Sequence, residues 1–437
     1  MTTLAALGPA HRVALWGYGR EGRATRRFLA AHVPGLVPHV VTDAPADAPA
    51  DANDLPRLTG EEGREALATG AFDVVVKSPG ISLYRPEVAA ARAAGSVVTS
   101  ATNLWFETEP ARFVLAVTGT MGKSTTASLV HHLWRGVEPA VELAGNVGAP
   151  LLDVAPAGAP LVLELSSYQI ADLAHGPALM LLTNLHPEHR DWHRSHARYF
   201  ADKLRLVDLA GDAVLNAADP RTAEQLGARA DARWYGTAAG WHVTDDHVRR
   251  GDEPVFAAAD WALRGAHNLW NLAAALAALE AAGIDARALA PRAASFTGLG
   301  HRLEILGERD GVLWVNDSIS TTPESAAAAV RAFPGRALTL ILGGHDRGQD
   351  PAPLAAALTG RDVRLVTLPA NGPALAGGLG AAPVTHAPDL EAAVAAAAAL
   401  TPPGGVVILS PAAPSFGQFR DFEERGEHFR RHAAVAR

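Results

Sequence analysis

The chain contains no cysteine, so neither a disulfide framework nor a thiolate-ligated metal site can form. No run approaches the roughly 18 apolar residues that a membrane span requires. The opening residues, MTTLAALGPAHR, hold no charged stretch followed by a long apolar core, which argues against a secretory leader. No Lys/Arg block stands out either: 38 basic residues face 46 acidic ones, a formal net charge of −8, and a polyanion-binding role is disfavoured. These absences describe a cytoplasmic enzyme with small-molecule partners, no nucleic acid and no membrane.

What is present is an α/β pattern on a large scale. The 437 residues exceed one ordinary core, and at roughly 100–200 residues per domain three domains are expected. Short runs rich in Val, Leu and Ile alternate with longer helical stretches, as in parallel sheets covered by helices. Strands are predicted at 12–16, 40–42, 72–76 and 97–98, then at 113–117, 161–165, 178–182 and 213–215, and finally at 312–315, 338–342, 363–366 and 406–409. These runs divide the chain into domains at 1–110, 111–299 and 300–437. Ala-rich tracts such as 393–399 read as helix, because Ala is the strongest helix former. No fixed-period repeat is visible.

The segment Thr118-Gly119-Thr120-Met121-Gly122-Lys123-Ser124-Thr125-Thr126 follows an apolar run and opens a helical stretch. Glycines there let backbone N–H groups face phosphate oxygens, the helix start adds its positive end, Lys123 supplies a cation, and Ser124 or Thr125 offers a hydroxyl to Mg²⁺. Val117 stands where the usual consensus has its first glycine, so the strand-loop-helix context carries the assignment of ATP. The bland alternative is a flexible Gly/Ser/Thr turn.

A second glycine loop, Gly17-Tyr18-Gly19-Arg20-Glu21-Gly22, also follows a strand, and Asp43 ends the next one. By itself the pattern suggests a dinucleotide fold with Asp43 on a ribose. A nucleoside diphosphate carries the same pyrophosphate as NAD, so a nucleotide-sugar site, an NAD or NADP site and a tight structural turn all remain open. A phosphate loop at Gly119 in the same chain weighs against redox chemistry.

Glu164 closes an apolar run and is followed by Ser166-Ser167-Tyr168-Gln169, which places a carboxylate at the sheet edge where α/β proteins bind ligands. With a loop hydroxyl and phosphate oxygens it suffices for Mg²⁺; otherwise it is a solvated strand end. His186, His189, His193 and His196 recur at spacings of three, four and three. On one helix that would suggest zinc, but Pro187 and the sequence HPEHRDWHRSH read as a loop entering a helix. Lys203, in YFADKLRL, reads locally as a solvated helix lysine.

Taken in order, TGTMGKSTT, GNVG (145–148), LELSSYQ (163–169), TNLHPEHRD (183–191), Lys203, AHNLWN (266–271), His301-Arg302 and NDS (316–318) strongly resemble the Mur ligase family of peptidoglycan synthesis. GYGREG with Ser78-Pro79-Gly80, and SPAAPSFGQFRDFEERG (410–426), are similar to the family's glutamate-adding member. The resemblance implies an N-terminal Rossmann-like UDP-binding domain, a central P-loop ATPase with a parallel sheet, and a C-terminal Rossmann-like domain. It implies ATP and Mg²⁺ as cofactors, UDP-N-acetylmuramoyl-L-alanine and glutamate as substrates, a monomer, and an acyl-phosphate route to an amide. Gly17, Tyr18, Gly19, Asp43, Ser78, Pro79 and Gly80 would meet the UDP-sugar. Gly119, Thr120, Gly122, Lys123, Ser124 and Thr125 would meet the phosphates, with Asn268 and Asn271 near the base, and Arg302 and Asp317 reaching ATP from the third domain. Ser124 and Glu164 would hold one Mg²⁺, and His189 with a carbamylated Lys203 a second. Asn146 would contact the reacting carboxylate.

Two positions depart from the glutamate-adding pattern. Ile319 follows NDS where a Lys is usual, and Arg347 replaces a Lys in GGHDRG, which changes reach and donor geometry. Thr321 and Arg347 would then face the α-carboxylate, while Ser415 and Phe422, retained, would face the distal one. A kept distal clamp with a rebuilt α-carboxylate clamp favours L-glutamate over the usual D-glutamate. Outside this chemistry, an NAD-dependent oxidoreductase using the Gly17–Gly22 loop is the alternative.

Overall fold

The structure is a computed structural model that describes residues 3–43, 54–154, 158–227, 229–261, 263, 265–346, 348, 350–380 and 382–434. It resolves into two compact units, one ending at Phe296 and one beginning at Thr297.

The first unit holds two parallel sheets. One orders its strands β3-β2-β1-β4-β5, with β1 Val13–Trp16, β2 His39–Thr42, β3 Arg57–Thr59, β4 Val74–Lys77 and β5 Val97–Thr99. The other runs β11-β10-β9-β6-β8-β7, with β6 Val114–Thr118, β7 Glu142–Gly145, β8 Leu161–Glu164, β9 Leu179–Leu182, β10 Asp212–Asn216 and β11 Arg233–Tyr235. The central strands are buried throughout, because helices cover both faces, and that is why they read as continuous apolar runs. One apolar core extends from Val13 and Leu15 of the first sheet to Leu163 and Leu215 of the second. A small antiparallel sheet of β12 Trp241–Thr244, β13 His247–Arg250 and β14 Glu253–Ala257 packs Trp241 and Val248 into a second core.

The second unit carries one sheet, β15-β16-β20-β17-β18-β19: β15 Glu304–Arg309, β16 Val312–Asn316, β17 Leu338–Leu342, β18 Val363–Thr367, β19 Val384–His386 and β20 Val406–Leu409. All pairs are parallel except β15 with β16.

Helices α1 Arg20–His32, α2 Lys123–Trp134, α3 His196–Leu209 and α4 Ala266–Ala281 belong to the first unit and α5 Phe422–Ala433 to the second. In each parallel sheet the chain reverses its direction of strand addition at one place: between β1 and β4, at β6, and at β20. Adjacent loops leave to opposite faces there, opening a crevice at the carboxyl ends of the strands. The glycine loop, the phosphate loop and the Ser410–Ser415 segment all emerge at these places.

The twelve predicted strands are present. The additional ones are short, polar or at edges, such as ELAG and RWY, and lack the apolar run that marks a buried strand.

A buried ionic contact joins the two sheets of the first unit. Lys77, at the end of β4, lies 3.4 Å from Asp172 with both side chains almost fully enclosed. Burial pushes Lys77 down and Asp172 up, each partly offset by the other. Asp172→Ala, which strands Lys77 in the interior, is expected to lower unfolding free energy by about 3 kcal/mol or more, measured as a shift in the urea midpoint.

Candidate active site

The phosphate loop is shaped by what it cannot accommodate. Gly119 has φ +148°, and a Cβ there would lie 1.9 Å from Thr183 Oγ1; Gly122 has φ +77°, and a Cβ would lie 2.5 Å from Asn271 Oδ1. Neighbouring strand ends hold the loop: Thr120 N donates to Asn184 O and Met121 N to Asn184 Oδ1, both at 2.9 Å, and Thr183 Oγ1 donates to Met121 O at 2.8 Å. Thr120 Oγ1 and Tyr199 OH share a bond of 2.7 Å.

Two lysines close on this loop. Lys123, the first residue of α2, donates to Thr120 O, and Lys203, from α3, donates to Gly119 O, each at 2.7 Å. Lys203 is 1% exposed, not a solvated helix lysine as its local sequence suggests. The difference arises from distant residues, since α3 lays this side chain beneath the loop. Burial, and then Lys123, push its ammonium well below the usual lysine range.

Glu164 ends β8, buried, and pairs in register with Val117, immediately before the loop. The turn Gly145–Gly148 crosses behind it, and Asn146 N donates to Glu164 O at 3.2 Å. A Cβ at Gly145 would lie 2.2 Å from that same carbonyl. Asn146, Lys123, Lys203, Ser167, Tyr168 and His189 line a cavity of about 350 Å³, which Pro79 and Gly80 border.

The four histidines do not share a face. His189 and Arg194 both adopt positive φ, so only a short helix, Arg190–His193, separates two turns. His186, His189 and His196 are exposed, whereas His193 is fully buried. His193 Nδ1 donates to Asp202 Oδ2 at 2.6 Å, and its Nε2 meets Ser167 Oγ at 2.9 Å. Tyr84 OH donates to the other Asp202 oxygen at 2.6 Å. His189 Nδ1 meets Tyr168 OH at 2.9 Å; the partial enclosure of its ring and the two lysines, opposed by Glu188, hold the imidazole below its usual pKa, hence neutral.

These residues fit phosphates and a hard cation. The loop offers backbone N–H groups, with Lys123 and Lys203 beside it, to anionic oxygens. Ser124 and Glu164 are oxygen donors suited to Mg²⁺, and neutral His189 can ligate. Among the described residues no three His, Asp or Glu side chains form a ready cation cage. A cation here therefore draws on hydroxyl and phosphate oxygens as well.

Asn268 and Asn271, on α4, are buried and clasp the underside of the loop: Asn271 Nδ2 donates to Asn268 Oδ1 and Thr126 Oγ1 to Asn271 Oδ1, both at 3.2 Å. In the first sheet, Gly17 has φ +85°, and a Cβ there would lie 2.7 Å from Ser78 Oγ, so the Gly17 and Ser78-Pro79-Gly80 loops abut. Gly19 caps α1 and has open space around it. Tyr18 is buried and accepts from Arg26 at 3.3 Å. Asp43 is held by both terminal nitrogens of Arg85, at 2.7 and 3.0 Å. Arg20 donates to Gly148 O, bringing the glycine loop against the turn that carries Asn146.

In the second unit Asp317 accepts from Leu303 N at 3.0 Å and Ser410 Oγ at 2.7 Å, and burial raises its pKa to about 6. Arg302 is exposed, Thr321 and Phe422 half-buried and Ser415 buried. Arg347 lies outside the described residues. Tyr84, Trp192, Asp202 and Arg425 carry no role in the motifs and bear on the sites only through tertiary contacts, and His193, considered in the sequence only for its spacing, does so through Asp202 and Ser167.

Comparison with known proteins then decides the family. Residues 117–279 match the Mur ligase middle domain and 301–413 the Mur ligase glutamate ligase domain. A UDP-N-acetylmuramoyl-L-alanine--L-glutamate ligase of Xanthomonas euvesicatoria pv. vesicatoria is 46% identical over 95% of this chain and 94% of that protein. The chain belongs to the Mur ligase family. It is an ATP-dependent, amide-bond-forming ligase. Proteins of the same printed name from Xylella fastidiosa and a Micromonospora strain are 46% and 43% identical, covering 96% and 95% of this Mur ligase and 94% and 95% of themselves. Among solved structures, UDP-N-acetylmuramate-alanine ligase from Thermotoga maritima shares the fold, with a TM-score of 0.59 at 16% identity, covering 96% of this Mur ligase and 98% of that chain. MurF ligase from the same organism, in complex with ADP, has a TM-score of 0.55 at 16% identity, covering 99% of each.

The glycine loop of this Mur ligase carries its own titration. Burial pushes Glu21 up to about 7, opposed by Lys77 and a 3.0 Å bond from Gln169 Nε2. The folded chain keeps a proton that the unfolded chain releases above about pH 4.5. This contribution to stability is therefore full below that pH and lost as pH rises to about 7. Glu21→Gln should flatten the stability profile across that window by about 3 kcal/mol, read by urea denaturation at stepped pH.

Proposed function

We propose that this Mur ligase joins L-glutamate to UDP-N-acetylmuramoyl-L-alanine, forming an amide with release of ADP and phosphate. The observation that carries the reading is the convergence of Lys123 and Lys203 on the carbonyls of one phosphate loop, beside a cavity bordered by the Ser78-Pro79-Gly80 loop of the first sheet. The choice of L-glutamate is supported by the printed names of relatives at 43–46% identity and by Ile319 in place of the usual Lys. The reading includes the domain division 1–110, 111–299 and 300–437 and a cytoplasmic monomer.

The chemistry follows from the groups present. A carboxylate is a poor electrophile, so its oxygen first takes the γ-phosphoryl of ATP, giving an acyl phosphate. The glutamate amine attacks the acyl carbon, and the tetrahedral intermediate collapses with loss of phosphate. Lys123 neutralises the phosphoryl oxygens, Asn146 orients the reacting carboxylate, and Arg302 with Asp317 serves the nucleotide. Thr321, Arg347, Ser415 and Phe422 receive glutamate. Ser124, Glu164 and His189 would hold Mg²⁺, which supplies charge neutralisation for the transferred phosphoryl group.

Lys203 joins that set as a carbamate. Its neutral amine, favoured by burial, attacks CO₂, forms an N–C bond and releases one proton, turning a neutral group into an anionic oxygen ligand. With ¹³C-bicarbonate, a carbamate resonance is expected in the unaltered chain and absent in Lys203→Gln.

Phosphate release should require ATP, UDP-N-acetylmuramoyl-L-alanine and L-glutamate together, with D-glutamate a poor replacement. Equal turnover of the two enantiomers would overturn the stereochemical assignment. Lys123→Ala should lower the rate by about 10³-fold; a rate within a few-fold of the unaltered chain would overturn the loop assignment.

A further inference from the structure

The second unit contains a buried cation that its own fold does not compensate. Arg425, in the first turns of α5, is 1% exposed. Its three nitrogens donate to Ser318 Oγ at 3.0 Å, Ser318 O at 2.8 Å and Ala413 O at 3.0 Å. All of these acceptors are neutral. Asp317, next to Ser318, is turned toward Ser410 and Leu303, and Glu424 toward Arg420 N. Among the described residues no carboxylate opposes burial, which shifts Arg425 downward to about 9, so it stays charged at neutral pH.

Two costs thus fall on one side chain. Burying an unpaired ion is worth several kcal/mol against folding, and a cation near a helix N-terminus meets the positive end of the helix dipole. A neutral side chain of similar volume would avoid both.

The position is what gives the cation a use. β16, β20 and β17 are adjacent and parallel, so the segments leaving their carboxyl ends converge on one edge. Arg425 ties two of these segments together through Ser318 and Ala413, and its guanidinium backs Gly344 of the third. Ser318 Oγ in turn donates to Phe422 O at 2.8 Å, fixing the start of α5.

We propose that Arg425 is a positioning and specificity-determining residue of the acceptor site, whose uncompensated charge favours an acidic amino acid over its neutral amide. The inference rests on the reading that the second unit receives glutamate. The distal carboxylate of an acidic amino acid docking at this edge meets a fixed positive potential in a low-dielectric setting, where charge interactions are strongest. Glutamine has nearly the same shape and the same α-carboxylate, but its distal amide carries no charge to gain from that potential.

The test uses the full chain and the variants Arg425→Gln, Arg425→Met and Arg425→Lys, with kcat/KM measured for L-glutamate and L-glutamine and KM for ATP. The two neutral variants are expected to lose about tenfold or more in preference for glutamate over glutamine, mainly through the glutamate KM, with the ATP KM unchanged. Arg425→Lys should keep most of that preference. Equal losses for both amino acids, an unchanged preference, or failure of both neutral variants to fold would mark the cation as purely structural and overturn the proposal. Failure of the unaltered chain to use L-glutamate would instead overturn the reading of the acceptor.

Discussion

Two lysine amines pressed onto the carbonyls of a single loop set the terms for the rest of this molecule. Lys123 and Lys203 each donate to a backbone oxygen of the Gly119–Gly122 turn, and Lys123 opposes the charge on Lys203. A second positive charge beside Lys123 in a half-enclosed cavity is unfavourable without anions, which together with burial drives Lys203 toward its neutral amine. Phosphates relieve that arrangement, and so does conversion of one amine to an anion. The loop geometry, the strand order at β6 and the buried Glu164 bring these amines and a carboxylate to one edge of the sheet.

The cavity is not the work of the central sheet alone. Trp192 donates to Pro79 O at 2.9 Å, Ser82 to Trp192 O at 2.5 Å, and Tyr84 to Asp202. Asp202 precedes Lys203 on α3 and also holds His193, which meets Ser167 in the cavity wall. Together with Lys77–Asp172 and Glu21–Gln169, these contacts tie the loops of the first sheet to the residues that surround the phosphate site. The Ser78-Pro79-Gly80 loop, which abuts Gly17, is thus held at the cavity that Lys123 and Lys203 line.

Much of this was legible in the sequence because the signals were local. Buried strands announce themselves as apolar runs, and each ligand loop follows such a run directly. Gly119, Gly122, Lys123 and Glu164 could be placed from neighbours in the chain. Lys203 could not, since its helix reads as amphipathic and only the packing of α3 beneath the loop buries it. The sequence itself argued against a shared histidine face: Pro187 marked a loop, and two residues of positive φ break the helix that the periodicity would need. Arg425 sits among charged residues in FEERGEHF and carries no motif that tells a buried cation from a solvated one.

The central claim is that a carboxylate oxygen of the sugar-linked alanine is phosphorylated beside Lys123. Its most direct test is isotopic. With both oxygens of that carboxylate labelled with ¹⁸O, each turnover should release inorganic phosphate carrying one ¹⁸O and leave the other in the new amide. Unlabelled phosphate, or AMP in place of ADP, would contradict it.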